Sequence, residues 1–74
     1  MEATTIEVTL NEMLDWSHQY EYFSDLIRDR VAEQVPGMDY DEVADRVLVT
    51  GYILAACHTP NVGVFEVAYE LEEA

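Results

Sequence analysis

Glu21, Asp25, Asp29 and Glu33 recur at intervals of four in a segment patterned as a helix. That spacing gathers side chains on one helix face, with successive carboxylates about 6 Å apart along the axis. A row of anions of this kind can approximate the phosphates of a nucleic-acid strand, which carries one per about 3.4 Å. Asp41, Glu42 and Asp45, with Asp39, continue the acidic series beyond a Pro36-Gly37 turn. Like charges at this spacing repel, by about 0.2–0.5 kcal/mol per pair, and Arg28 and Arg30 partly offset the row. An ordinary solvated helix face is therefore the competing reading.

Other candidate chemistry is thinner. Cys57 adjoins His58, but sequence neighbours on a helix point in different directions, and a nucleophile and its base are assembled in space. His18 and His58 with nearby carboxylates suit zinc in ligand type, yet no His-x-x-x-His or similar spacing is present. Asp39-Tyr40-Asp41 opens like a calcium loop but lacks the glycine and closing glutamate of a twelve-residue loop; helix capping accounts for it better. There is no glycine-rich phosphate loop and no basic patch with interleaved aromatics, so direct binding of nucleotide or nucleic acid has no support. The expectation is a non-enzymatic protein with no metal and no cofactor.

Charge bears most directly on function. Sixteen carboxylates face only Arg28, Arg30 and Arg46; lysine is absent, and the formal net charge is -13. A net charge of roughly 2 to 8 already keeps a small domain in solution, so the excess is available for recognition. Anionic membranes and nucleic acids are poor partners for such a surface, and basic nucleic-acid-binding proteins are good ones. Half the residues are hydrophobic, including one tryptophan, five tyrosines and two phenylalanines, which argues for a folded chain rather than the disorder that acidity alone suggests.

The 74 residues make a single domain, 1–74, of a size that buries only about 60% of its unfolded surface. Cys57 has no second cysteine to pair with, and it reads as a small buried hydrophobe in a reducing compartment. Self-association is the remaining way to gain stability, and monomer and homodimer are equally open. Residues 1–5 have neither the positive charge nor the apolar run of an export signal, which leads us to expect a cytoplasmic protein.

Residues 47–57, VLVTGYILAAC, form the longest uncharged apolar run. They fall well short of the roughly 20 residues that span a membrane and read as the buried centre of the fold. Around them the pattern predicts strand, helix, helix, strand. Residues 4–10 alternate apolar and polar and form the first strand. Thr9-Leu10-Asn11-Glu12 is a capping box that starts a helix. Helical patterning continues to Val35, with a break expected at Ser17-His18-Gln19.

Pro36-Gly37 ends that helix, and Asp39 caps a second one, from about Tyr40 to Cys57, that becomes apolar all round. The competing reading makes residues 47–53 a buried strand, because they are rich in β-branched side chains. His58-Thr59-Pro60-Asn61 is a turn. Residues 63–71 alternate again and form a second strand, with a terminal helix as the alternative. The expected class is α+β with two antiparallel terminal strands; the alternative is mostly α. Residues 72–74 read as a frayed acidic tail.

Asp25-Leu26-Ile27, then Val31-Ala32-Glu33-Gln34-Val35-Pro36, Tyr40 and Glu42-Val43 resemble the helix, Val-Pro and helix segment of the Ocr-type phage anti-restriction proteins. About twenty residues are involved, and in size and charge the chain is also similar to small acidic anti-CRISPR proteins. These resemblances imply a phage-encoded DNA mimic that inhibits a host defence or nucleic-acid enzyme in the bacterial cytoplasm. Glu21, Asp25, Asp29, Glu33, Asp41, Glu42 and Asp45 are the expected partner contacts. Tyr22, on the acidic side of the helix, is the expected interface anchor. The reading from a different class is a structural or adaptor protein that assembles through its apolar helix.

Overall fold

The computed structural model describes residues 2–73. Strand β1 (Glu2–Thr9) buries Ile6 and Val8 and exposes the residues between and beside them. Thr9 ends it. Its Oγ1 accepts from the Glu12 backbone N–H at 3.2 Å, and the Thr9 N–H donates to Glu12 Oε1 at 3.2 Å. This reciprocal pair starts helix α1 (Leu10–Asp15). A 3-10 turn at Trp16–His18 breaks the helical run where the sequence suggests it breaks.

Helix α2 (Phe23–Gln34) then buries Leu26, Ile27, Val31 and Ala32. Val35 leaves it in an extended conformation before Pro36, and Gly37 makes the turn at φ 76°, in the left-handed region that glycine tolerates best. Asp39 opens helix α3 (Tyr40–Val43), a single turn, through its backbone carbonyl; its side chain makes no capping bond.

The predicted second helix is corrected beyond this point. Residues 47–59 are not helical but form strand β2 (Val47–Thr59), which turns at Pro60-Asn61 into strand β3 (Val62–Leu71). Strand, helix, helix, strand is therefore wrong, and so are the mostly α alternative and the terminal-helix reading of residues 63–71. The chain is α+β with a three-stranded antiparallel sheet in the order β1-β3-β2. The terminal strands do pair antiparallel, with Ile6 opposite Phe65, but β3 sits at the centre between two edges.

The reason is local and tertiary at once. Val47, Val49, Thr50 and Ile53 lose side-chain freedom in a helix, and Gly51 is costly there. As a strand, the same residues gain a ladder with β3 along nearly its whole length.

The second correction concerns burial. Val47 is buried, but every residue from Thr50 to Thr59 is exposed, Cys57 among them. The core lies instead between the helices and one sheet face. Ile6, Val8, Phe65, Val67 and Tyr69 meet Leu26, Ile27, Val31 and Ala32, with Val35, Val43 and Val47 completing the cluster. Phe23 extends it, with ring centroids 5.9 Å from Trp16, 5.8 Å from Tyr52 and 5.7 Å from Phe65 in tilted or edge-on contacts.

Within the tail expected to be frayed, residues 72–74, Glu72 is tied down. Glu72 N donates to the Arg46 carbonyl, and Arg46 Nε donates to the Glu72 carbonyl, both at 2.7 Å. Ala74 lies outside the described residues. Among the described residues, no helix is long and apolar enough to cross a membrane.

Candidate functional site

The acidic row divides into carboxylates that hold the fold and carboxylates that face solvent. Asp29 belongs to the first kind. Its Oδ2 accepts from the Tyr20 hydroxyl and its Oδ1 from the Tyr40 hydroxyl, each at 2.6 Å. One side chain thus ties α2 both to the segment before it and to α3.

Asp25 is half-buried, and its Oδ2 accepts from the Tyr22 backbone N–H at 3.3 Å across the first turn of α2. There it also complements the positive end of the helix dipole. It lines a small depression with Ser24, Arg28 and the start of β2.

Glu21, Glu33, Asp39, Asp41, Glu42 and Asp45 are exposed. The Tyr40–Asp29 bond brings the α3 turn, with Asp41 and Glu42 beside Tyr40, against the α2 row. The two acidic groups of the sequence are therefore linked through Asp29.

Two of the three arginines are engaged by groups outside the acidic row. Arg30 pairs with Glu12 and donates through Nη1 to the Glu7 carbonyl at 3.1 Å, and Arg46 is bound to Glu72. Arg28 remains exposed on α2. Tyr22, 62% exposed, stands at the N-terminal end of α2 beside Glu21 and is available as an apolar contact next to the acids.

The hydrogen bond to Asp29, with burial and the carboxylate's charge adding to it, pushes the Tyr20 hydroxyl from 10.0 up to about 12. The same bond raises Tyr40. The protonated phenol is the form that donates. Its contribution to stability is therefore complete below pH 10 and is lost as pH rises through about 12. Denaturant unfolding across that window should show the loss, and tyrosinate absorbance should show Tyr20 ionising late. In Asp29→Asn the Tyr20 titration should move back toward 10.

The other reactive side chains are dispersed. His58 Nε2 lies 3.2 Å from Glu7 Oε1 across the sheet, and His18 Nδ1 lies 3.7 Å from Asp15 on α1. Cys57 and His58 are neighbours at an irregularity of β2, and the His58 imidazole is directed at Glu7 rather than at the thiol. Among the described residues no three histidine, cysteine or carboxylate side chains gather to hold a metal ion.

Sequence reasoning missed two features. One is the structural role of Asp29, which no spacing rule signals because Tyr20 and Tyr40 are nine and eleven residues away. The other is the exposed β2 edge, which the uncharged composition of residues 47–57 presented as core. Comparison with family models, curated proteins and solved structures gives no match for this chain.

Proposed function

We propose that this protein is a non-enzymatic inhibitor that occupies a basic nucleic-acid-binding groove in place of phosphates. The observation that carries the reading is that α3 is tied to α2 by the Tyr40–Asp29 bond while Glu33, Asp41 and Glu42 on these helices, and Glu21 and Asp45 in the segments beside them, are all exposed, with Tyr22 as an apolar anchor. Asp25 and Asp29 hold that region in shape and contribute charge behind it. A net charge of -13 steers it toward a basic partner and away from nucleic acid itself.

The partner class is a nucleic-acid-binding protein, such as a component of a bacterial defence complex, met in the bacterial cytoplasm. No cofactor is needed. Self-association would draw on a different part of the surface, the β2 edge.

The test is capture from bacterial lysate on the immobilised protein, with elution by a salt gradient and, separately, by excess duplex DNA. Retention of a nucleic-acid-binding protein that both treatments release supports the reading. A retained partner that ignores salt and DNA contradicts it.

A further inference from the structure

The two edges of the sheet are guarded differently. β1 carries Glu2 and Glu7, and its Glu7 carbonyl accepts from Arg30. β2 has no charged residue from Val47 to Cys57 and no proline, and Leu48, Tyr52, Ile53 and Leu54 are all exposed along it. Charge, proline and covering elements are the usual protections of an edge. β2 has only its irregularities at Thr50, Ala55 and His58, where the register with β3 shifts. Between the first two, Gly51-Tyr52-Ile53-Leu54 pairs regularly with β3, so its outward backbone groups are presented as an extended strand.

We infer that a second copy of this chain adds to the free edge of β2, antiparallel about a twofold axis normal to the sheet near Ile53. The product is a continuous sheet ordered β1-β3-β2-β2-β3-β1, with both helical layers on the same side.

Charge selects this occupant and this geometry. Two chains of net charge -13 repel over most of their surfaces, and the uncharged run is where they can approach. Stacking through the open sheet face would set Glu7, Glu66 and Glu70 against their own copies. Edge pairing keeps these apart. A row of outward N–H and C=O groups is complementary to its own antiparallel copy, which is what a twofold interface requires. A basic partner, by contrast, would be drawn to the carboxylates. An interface of this length belongs at the low end of specific contacts, below about 1,200 Å² in total, so association should appear near micromolar concentrations or above.

Sedimentation of the full chain over a concentration series reaching about 1 mM, at low and high salt, tests this. The expected result is a shift from monomer to dimer mass that strengthens as salt screens the repulsion. Ile53 and Thr5 lie opposite Glu66 on its two sides, one on β2 and one on β1. Ile53→Glu and Thr5→Glu therefore place the same new charge beside Glu66 and differ in which edge they alter. Ile53→Glu should weaken the dimer by about tenfold or more, through like charges facing across the axis, and Thr5→Glu should leave it close to wild type.

Monomer mass at every concentration and salt overturns the inference. So does a dimer that salt weakens, or one that both substitutions affect equally. The wild-type series is decisive even where Ile53→Glu fails to fold.

Discussion

Glu33→Lys, Glu42→Lys and Asp45→Lys, introduced together, are expected to leave the fold intact and to weaken binding to a basic nucleic-acid-binding partner by about 100-fold or more. All three side chains are exposed, and none accepts a hydrogen bond that holds the structure together. Glu33 lies in the last turn of α2 and Asp45 just beyond α3, where a cation suits the helix dipole better than the anion it replaces. The net charge becomes -13 + 3 × 2 = -7, still within the range that keeps a small domain dispersed. The loss therefore belongs to the interface: each reversal removes an attraction and adds a repulsion against a basic groove, at about 1 kcal/mol or more apiece. Titration calorimetry on a captured partner, with circular dichroism as the control for folding, checks it.

The second large effect contrasts two isoleucines. Ile27→Ala is expected to cost about 2–5 kcal/mol, the usual range for truncating a buried aliphatic side chain, because Ile27 is 0% exposed at the centre of the core. A 74-residue domain holds only about 4–11 kcal/mol in all, so the variant should be near its folding threshold. Ile53→Ala deletes the same atoms from a side chain that is 61% exposed, and in dilute solution should change stability by about 0.5 kcal/mol or less. Urea unfolding of both variants decides the matter. Had residues 47–57 been the buried centre, the two losses would be similar.

That contrast marks where the sequence was legible. The first strand, the Thr9–Glu12 capping box and the break before α2 were readable because each depends on residues a few positions apart, within reach of the same backbone. The end of α2 was readable for the same reason, since Pro36 and Gly37 act locally.

β2 was legible only as the competing reading of residues 47–53 as a buried strand, and its register shows why. Val47 and Val49 share one side, but the irregularity at Thr50 passes that side to Tyr52 and Leu54, and a further one at Ala55 shifts it again. No two-residue alternation survives, so an exposed edge strand read as a helix apolar all round. Composition misled in the same way. A run free of charge suggests core, whereas these residues border a sheet whose second face no helix covers.

In the candidate site, the spacing placed Asp25, Asp29 and Glu33 along α2, but Glu21 lies in the bend before the helix and is not part of that row. The division between structural and exposed acids depended on Tyr20 and Tyr40 folding back onto Asp29, a long-range arrangement that spacing alone does not encode.

The most direct test of the central claim is competition: duplex DNA bound to the captured partner, followed by fluorescence anisotropy as this protein is added. Phosphate mimicry predicts that DNA is displaced completely, that its apparent Kd rises in proportion to the concentration of this protein, and that the Glu33→Lys, Glu42→Lys, Asp45→Lys variant fails to displace it. A ternary complex in which the partner holds DNA and this protein together would contradict the account.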